Sequence, residues 1–528
     1  MKGGAVNRWY GNQEHVINFE YNGKEMREFR KKVGQSTYLP GEDYYFKEGA
    51  TYSFLTVSNL SVRYLPKGFI FDVIGSSIFP QKTSVYLLIG ILNSKISTYL
   101  IKVISPTVAY QVGDIARIPF PEEAKNPEFV REIEEKVKRC IQLKKELVKM
   151  NETSWEFERP PSWDTGFTDI LKREKELAIL ETQISNAVYK LYDIHQNDIE
   201  QIEREFGELA GNLKEVSDLN NRKLKIIKNL YLQKHIPREV LRRNKEPENQ
   251  KIESKERGRG VKRYLTLEEI CLASGFHPET VFKYIKQNRF ERKEKRYELA
   301  VKYVSFALGA LMGRFKVEEI QIDDGILVFD EGHPDDAPIR IKEALEKILG
   351  DERGEEVIKV LGGDLRKFLI SDFFIKYHIK MYKKRPIYWL FSSEKKNYGF
   401  YIYNLKFTQD TLYSLINKYT EPKINFEKSR LSELHIKRDK VEGREKRDIE
   451  KLIVRGKELL EELEHFKKDI NEVIALGYRP NIDDGVILSM APFYKLIPWK
   501  EPKRYYKELQ QGKYKWSQIS RIFETASN

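Results

Sequence analysis

The stretch NPEFVREIEEKVKRCIQLKKELV, residues 126–148, decides the fold class of the chain. Its apolar residues recur every three or four positions between 129 and 148, which is the spacing of a helix with one buried face. Asn126 is a favourable N-cap and Pro127 suits the first helical position, so a helix is predicted to begin there. The region that this stretch opens is therefore predicted to be helical.

A second helix is predicted downstream, beginning near Thr168 after a loop rich in Trp and Pro at 155–163. Its apolar residues step by three and four along 177–191, which forms a seam of roughly two heptads. Such a seam is typical of two packed helices, which belong either to an ordinary domain or to a spacer arm.

The segment before this helical pair has a different composition. Residues 1–121 are rich in Gly, Ser, Tyr and Phe, and short β-prone stretches such as 61–64 and 68–72 are bounded by Pro66, Gly68 and Gly75. One mostly apolar helix is predicted over 85–105, ended by Pro106. The segment as a whole is predicted to be β-rich.

The C-terminal part carries two further patterns. Residues 360–425 predict mixed α/β structure, in which five Lys or Arg between 376 and 385 precede the apolar run IYWLF (387–391). Apolar residues then keep a three-four step along 449–473, which predicts a long amphipathic helix that is weak at Gly456 and ends by Gly477 and Pro480. A Trp- and Lys-rich tail, FYKLIPWKEPKRYY (493–506), follows.

These patterns predict an α+β multidomain protein, in which a β-rich domain is followed by a mainly helical region and a mixed α/β C-terminal region with a long amphipathic helix. The predicted boundaries are 1–121 for the β-rich domain, 122–220 for a helical spacer, 221–264 for a basic linker, 265–350 for a helical domain with a helix-turn-helix-like segment, 351–428 for the mixed α/β region and 429–528 for the long helix and tail.

The composition limits the classes of function. The 528 residues are 40% hydrophobic and 33% charged, and 93 Lys and Arg against 80 acids give a net charge of +13. This balance favours a polyanionic partner, either nucleic acid or an anionic membrane surface. No apolar run approaches the length of a membrane helix, no secretory signal is expected at the N-terminus, and two distant cysteines predict neither a disulfide framework nor a Cys-based zinc site. The chain is therefore expected to be soluble and cytoplasmic.

The common catalytic motifs are missing from the sequence. There is no Walker phosphate loop, no GxSxG, no HExxH and no glycine fingerprint of a nucleotide-binding turn. The single Pro-Pro pair lies in ERPPSW (158–163), where an amino-methyltransferase would need a short polar acceptor before the prolines and an aromatic residue directly after them. Arg159 cannot accept a hydrogen bond and Ser162 fills the aromatic position, so this motif is interpreted as a rigid loop.

Charge is concentrated in separate segments. Residues 221–264 hold 15 Lys or Arg and 5 acids, and form either a phosphate-contacting stripe or a solvated helix face with an exposed linker. Residues 318–336 hold eight acids and no Lys or Arg, and are expected to form an acidic surface loop rather than a metal site. Between them, LTLEEICLASGFHPETVFKYIKQNRFERKEKR (265–296) predicts two helices separated at Gly275, which fits either a DNA-binding helix-turn-helix or a plain helical hairpin.

Six strings together resemble one family. They are KGGAVNRWYGN (2–12), EDYYFKEGATYSF (42–54), SVRYLPKGFIFDVIGSSIFP (61–80), LLIGILNSKISTYLIKVISPTVAYQVGDIARIPFP (87–121), KRPIYWLFSS (384–393) and DDGVILSMAPFYKLIPWKEPK (483–503). In this order they are similar to the C-terminal two-thirds of the PglX family, the adenine-specific DNA methyltransferases of BREX phage-defence systems. Large restriction-modification fusion enzymes share the first block.

The resemblance implies a target-recognition domain over 1–121, followed by the helical parts of such an enzyme. Family members carry a Rossmann domain that binds S-adenosyl-L-methionine (SAM) and an NPPY-type motif before these strings. This chain lacks both, so no catalytic, cofactor-binding or metal residue is assigned. SAM is expected on a catalytic domain that either a separate chain supplies or a broken gene has lost. The chain alone is expected to have no methyltransferase activity.

The resemblance also implies double-stranded DNA as a partner, together with a catalytic methyltransferase chain and other BREX proteins, and no membrane. Methylation of an adenine amine requires the base to leave the duplex, so a DNA clamp is needed opposite the catalytic domain. Lys and Arg would contact phosphates, while Arg and Gln would bind guanine and adenine edges. The DNA-binding candidates are Arg8, Arg63, Lys67, Gln111, Arg117, Arg242, Arg243, Arg257, Arg259, Lys286 and Arg289. The alternative is a protein-interaction subunit of the defence complex without methylation activity.

Overall fold

We describe the chain from a computed structural model. The structure describes residue 3 and residues 7–55, 60–107, 109–121, 126–217, 221–233, 264–288 and 293–525. It divides into two compact units, Met1–Arg292 (unit 1) and Lys293–Asn528 (unit 2). The division lies inside the helical domain expected at 265–350, so the helix-turn-helix-like segment belongs to unit 1 and the residues after it to unit 2.

Unit 1 begins with a small antiparallel sheet. After helix α1 (Glu20–Lys32) come strands β1 (Gly49–Tyr52), β2 (Val62–Leu65) and β3 (Ser77–Ile78), in the order β2-β1-β3. Trp9 extends the sheet beside β2, because its N–H donates to Val62 O at 3.0 Å and its carbonyl accepts from Tyr64 N at 2.8 Å. Successive side chains of β2 point to opposite faces, so Val62 joins the apolar core while Arg63 faces the other side.

Helices cover the apolar face of this sheet. They are α2 (Val85–Asn93), α3 (Lys95–Ile104), α4 (Val112–Ala116), α5 (Pro127–Val148), α6 (Gly166–Leu191) and α7 (Gln196–Phe206). The predicted start of α5 is confirmed, because the Asn126 side chain accepts a hydrogen bond from Glu128 N at 3.0 Å and Pro127 opens the helix. The predicted seam of α6 is also buried, with Leu177, Ile184 and Leu191 in the core.

The single helix expected over 85–105 is wrong, because the chain breaks at Ser94. The Ser94 backbone is extended, with φ −70° and ψ 161°, and its side chain caps α3 by accepting from Ser97 N. The hydroxyls of both serines donate to Ile91 O, which satisfies the end of α2. Ser94 and Ser97 thus satisfy backbone groups at the end of α2 and the start of α3.

A second cluster of unit 1 contains α8 (Asn221–Leu232), α9 (Leu267–Ser274) and α10 (Pro278–Gln287), packed against α6. Thr266 and Glu269 form a capping box at the start of α9, and Gly275 ends this helix in the left-handed region at φ 74°. The predicted helix-turn-helix geometry at Gly275 and Pro278 is thus confirmed as local structure.

Unit 2 is built around a second antiparallel sheet in the order β4-β6-β5. Its elements are α11 (Lys293–Leu311), β4 (Ile326–Phe329), α12 (Ala337–Leu349), α13 (Asp351–Val360), α14 (Leu365–Lys367), a π-helix (Phe368–His378), α15 (Ile379–Met381), β5 (Tyr388–Ser392), β6 (Gly399–Tyr403), α16 (Thr411–Ser414), a second π-helix (Leu415–Thr420), α17 (Glu421–Arg438), α18 (Gly443–Ala475), α19 (Val486–Met490), α20 (Lys500–Gln510) and α21 (Gln518–Thr525). All three strands are fully buried, so helices cover both faces of the sheet.

The long amphipathic helix is confirmed as α18, but its buried face differs by one residue near the start. Ile453 is buried, whereas Leu452 is 39% exposed. Gly456 explains the weak position in the pattern, because a Cβ there would lie 2.8 Å from Leu431 Cδ2 on α17. The glycine allows α17 and α18 to approach closely.

The chain is thus an α+β multidomain protein, mainly helical, with a small three-stranded sheet in each unit among the described residues. In that described part, no single helix has the length and apolarity to cross a membrane, and α2 and α3 pass that test only as a pair bent by 72°.

Candidate nucleic-acid interface

Arg8 is anchored to the helical part of unit 1. Its Nη1 lies 3.3 Å from Glu181 Oε2 on α6, and the Trp9 indole N–H donates to the same carboxylate. The Arg8 side chain is 24% exposed. Burial lowers the pKa of Arg8, but the Glu181 and Glu268 carboxylates outweigh this effect and raise it above its ordinary value. Arg8 therefore fixes the N-terminal segment against α6.

Glu268 on α9 belongs to the same charged cluster. Burial and the neighbouring Glu181 carboxylate raise the pKa of Glu268 to about 7, although Arg8 acts in the opposite direction. The cluster of Arg8, Glu181 and Glu268 thus links the N-terminal segment, α6 and α9. The cluster was not predicted from the sequence, although Glu181 lies four residues after Leu177 and three before Ile184 and so interrupts a buried face. A charge at such a position is the signal that could have identified it.

Arg63 is fully buried, with 0% of its surface exposed. Its Nη1 donates to Ser53 Oγ at 3.2 Å, and among the described residues Nε and Nη2 have no hydrogen-bond partner. Burial lowers the pKa of Arg63 to about 10. In this conformation the guanidinium does not reach the surface, so the position of Arg63 does not favour the expected base contact.

Lys67, Gln111 and Arg117 are exposed. Lys67 lies in the turn after β2, whereas Gln111 and Arg117 flank α4 at its two ends. The Gln111 N–H donates to Asp114 Oδ2 at 3.0 Å, which fixes the start of this short helix. The structure therefore places Gln111 and Arg117 at the two ends of one short helix, where both residues are exposed and Gln111 takes part in the N-terminal capping box.

Val112, Ile115 and Ala116, which lie between these two positions, line an apolar cavity of about 490 Å³. It lies between the sheet, α2 and α4, and its wall includes the stacked rings of Tyr44 and Phe79, whose centroids are 4.9 Å apart. Phe120 at the edge is 48% exposed. The cavity adjoins the exposed helix that carries Gln111 and Arg117.

The helix-turn-helix-like segment uses its second helix for internal packing. A DNA-recognition helix contacts bases with its N-terminal residues. In α10 that end is occupied, because Pro278 and Thr280 are buried and Glu279 pairs with Lys175 of α6 at 2.8 Å. Lys286 is exposed near the far end of α10. The packing thus favours a plain helical hairpin, although Lys286 remains accessible to a phosphate.

Five candidates lie outside the described residues. They are Arg242, Arg243, Arg257, Arg259 and Arg289. For these arginines the predicted phosphate contacts stay predictions.

Several acids of residues 318–336 in unit 2 pair with cations from neighbouring helices. Asp323 pairs with Arg340 at 2.8 Å, and Asp330 lies 2.6 Å from Lys423. Asp336 pairs with Arg366, which holds the start of α12. Within the described ranges, no three His, Cys, Asp or Glu side chains form a group that could hold a metal ion. Asp323, Asp330 and Asp336 therefore act as ion-pair partners inside unit 2.

Over nearly its whole length, the chain is similar to curated proteins that are named adenine-specific methyltransferases. The chain is 26% identical over 524 residues to the adenine-specific methyltransferase BrxX of Escherichia coli O9:H4 (strain HS), which covers 94% of this chain and 39% of the relative. It is 25% identical over 515 residues to the adenine-specific methyltransferase PglX of Lacticaseibacillus casei (strain Zhang), which covers 93% of this chain and 38% of the relative. The chain spans about two-fifths of the length of these curated relatives. No protein-family model matches it.

Proposed function

We propose that the chain is the DNA-binding, target-recognition portion of a BREX-type adenine-specific DNA methyltransferase that acts in phage defence. The observation that carries this proposal is the collinear similarity over 94% of the chain to a methyltransferase more than twice its length. SAM would bind to catalytic residues outside this sequence, and the chain alone would not transfer a methyl group. Double-stranded DNA, a catalytic methyltransferase part and other BREX proteins would be its partners.

Within residues 1–121, the proposed base contacts come from the exposed helix α4. Gln111 carries both a donor and an acceptor for an adenine edge, and Arg117 can donate to guanine O6 and N7. Lys67 would contact a phosphate. Arg8 would act indirectly, because its ion pair with Glu181 fixes the segment to α6.

A graft tests this proposal. Residues 1–121 of this chain replace the matching segment in the full-length relative BrxX, whose own catalytic part is retained, and sequencing of cellular DNA reads the methylated motif. We expect the motif to change with the graft, and Gln111→Ala within it to relax one position by about 1–3 kcal/mol against the wrong base.

The matched control is a graft of residues 264–288, the helix-turn-helix-like segment. The assignment of target recognition to residues 1–121 would be contradicted if the methylated motif changed with this control graft. It would also be contradicted if the 1–121 graft retained methylation but left the motif unchanged. Equal loss of methylation at every site in Gln111→Ala would mean that the residue contacts only phosphate or maintains structure.

One observation favours the alternative, a protein-interaction subunit without methylation activity. The apolar cavity of about 490 Å³, with Phe120 exposed at its edge, is suited to an apolar side chain of a protein partner. Duplex binding separates the two proposals, because phosphate contacts weaken steeply as salt rises. A protein-docking subunit would have little affinity for DNA at any salt concentration.

A further inference from the structure

The basic run of unit 2 forms a turn with an unusual backbone. Lys383 and Lys384 both have positive φ angles, 50° and 66°, which residues with a Cβ rarely adopt. The Lys384 N–H donates to Ile379 O at 2.8 Å and the Arg385 N–H donates to Tyr382 O at 2.9 Å, which closes the turn. The structure therefore maintains a strained conformation that leaves three cations exposed in succession.

His378 fixes the chain on the far side of this turn. Its Nε2 accepts hydrogen bonds from the N–H groups of Ile387 and Tyr388, at 3.1 and 3.0 Å. The ring is fully buried and stacks on Tyr388, with centroids 5.0 Å apart. The basic turn is thus held by the interior of unit 2 rather than by solvent-exposed contacts.

Helix α20 presents a row of cations. Lys500, Lys503, Arg504 and Lys507 are exposed and lie at i, i+3, i+4 and i+7, which places them on one face. The opposite face is covered, because Pro502 and Leu509 are buried. The row is about 10 Å long at 1.5 Å per residue, comparable to the axial rise of about three nucleotides of one strand.

One carboxylate joins the turn to this helix. Glu501 lies 3.1 Å from Lys384 Nζ through one oxygen and 2.7 Å from Arg504 Nη2 through the other. The two basic segments are thus one surface, although Lys384 and Glu501 are 117 residues apart in sequence. We call it the α20 surface: Lys380, Lys383, Lys384, Arg385, Lys500, Lys503, Arg504 and Lys507.

Most charges of the α20 surface are not neutralised within the protein. Among the described residues, the side chains of five of its members have no ion-pair or hydrogen-bond partner: Lys380, Arg385, Lys500, Lys503 and Lys507. Other cations of unit 2 do have partners, such as Lys423, which lies 2.6 Å from Asp330. An uncompensated, preorganised group of cations attracts a polyanion.

We propose that the α20 surface binds the phosphate backbone of double-stranded nucleic acid without regard to sequence. This proposal goes beyond target recognition, because it assigns a contact that positions the duplex to unit 2. Such binding requires neither methylation nor the contacts of residues 1–121. A membrane is less suited to the surface, because α20 buries its apolar face in the fold and has none left to insert into lipid.

The test uses the full chain and labelled duplexes of two unrelated sequences, with fluorescence anisotropy at several NaCl concentrations. The variant carries Lys500→Gln, Lys503→Gln, Arg504→Gln and Lys507→Gln. We expect weaker binding to both duplexes alike, and a salt slope of log K that is lower by up to about 4, at roughly 0.9 per lost phosphate contact. These side chains are exposed, so the variant should fold.

A matched control removes the same charges elsewhere in unit 2. Lys446→Gln, Arg455→Gln, Lys457→Gln and Lys468→Gln on α18 also remove three lysines and one arginine from exposed positions. We expect this control to keep the salt slope of the wild-type chain. The proposal would be overturned if the two variants had equal salt slopes, or if the wild-type chain did not bind duplex at all. It would also be overturned if the wild-type chain bound phosphatidylserine vesicles as tightly as duplex and the α20 variant lost that binding.

A second variant is designed to raise the affinity of the α20 surface for duplex rather than to lower it. Glu501→Gln removes the carboxylate that occupies Lys384 and Arg504, so both cations become available to phosphate. We expect tighter duplex binding, by several-fold at low salt, and a steeper salt slope. Unchanged or weaker binding would mean that the ion pairs only maintain the fold. The graft experiment on residues 1–121 is independent of this result, so either proposal can fail alone.

Discussion

Arg63 and His378 are both buried nitrogen bases, but the protein accommodates them differently. Arg63 makes one hydrogen bond to Ser53, and its pKa is lowered to about 10 by burial. His378 is neutral, because burial and then the nearby Arg314 charge lower its pKa to about 3. Its Nε2 accepts two backbone hydrogen bonds, so the proton of the neutral ring is on Nδ1.

The neutral state of His378 predicts acid sensitivity. The unfolded chain binds a proton at this residue below about pH 6.5 and the folded chain does not, so the stabilisation is complete above that pH and is lost as the pH falls toward 3. Between pH 7.5 and pH 4.5 we expect the wild-type protein to lose about 2–3 kcal/mol of unfolding free energy through this group, and His378→Gln to lose less. Urea unfolding at pH 7.5 and pH 4.5 measures both.

The control for this measurement is His465→Gln on the exposed side of α18. It should follow the wild-type pH dependence. At pH 7.5, His378→Phe should be less stable by about 2–4 kcal/mol, because two buried N–H groups lose their acceptor. If His378→Phe were as stable as the wild-type protein, the role of His378 in holding the basic turn would be contradicted.

Glu268 predicts the opposite dependence on pH. Its folded pKa of about 7 is above the value of the unfolded chain, so the folded state holds the proton more tightly and stability falls as pH rises from about 4.5 to 7. Glu268→Gln should reduce this fall by about 1–2 kcal/mol, measured by calorimetry at pH 5 and pH 7.5. Glu200→Gln, an exposed glutamate on α7, should leave it unchanged. If stability fell equally with pH in the wild type, Glu268→Gln and Glu200→Gln, Glu268 would not lie close to Glu181 in the folded protein.

The packing of α17 against α18 depends on the close approach of the two helices at Gly456. A larger side chain would meet Leu431, so Gly456→Leu is expected to destabilise unit 2 by about 1–3 kcal/mol despite its better helix propensity. Lys457→Leu places the same side chain on the exposed neighbour and should cost little. Thermal unfolding compares the two, and equal midpoints would argue against the close contact.

The sequence predicts α5, α9 and α18 well, because the signals of these helices are local. The N-cap at Asn126, the glycine at 275 and the apolar step of α18 each depend on residues within a few positions of one another. The break at Ser94 was not predicted, because the polar residues Asn93, Ser94 and Lys95 form only a short interruption between two apolar runs, and they include neither glycine nor proline. The π-helix Phe368–His378 has no comparable sequence signal.

Contacts between residues that are distant in sequence could not be predicted from the sequence. The division after Arg292 lies in the run NRFERKEKR (288–296), which contains no glycine or proline to mark a boundary. The burial of Arg63 depends on strand pairing, and the α20 surface depends on an ion pair between residues 117 apart. Residue type and the family resemblance selected Gln111, Arg117 and Arg63 alike, and only the structure distinguishes the exposed Gln111 and Arg117 from the buried Arg63.

The bond between Trp9 and Glu181 joins residues that are 172 apart in sequence. During translation, at roughly 5–20 residues per second, the ribosome needs about 10–30 s after Trp9 to synthesise its partner helix. Until α6 emerges, the N-terminal segment cannot be fastened in its final place, and the indole of Trp9, which is 1% exposed in the folded chain, stays available to other apolar surfaces. The Trp9 segment can therefore reach its final place only after the 172 residues up to Glu181 have been synthesised, and until then its apolar side chains are exposed to competing contacts.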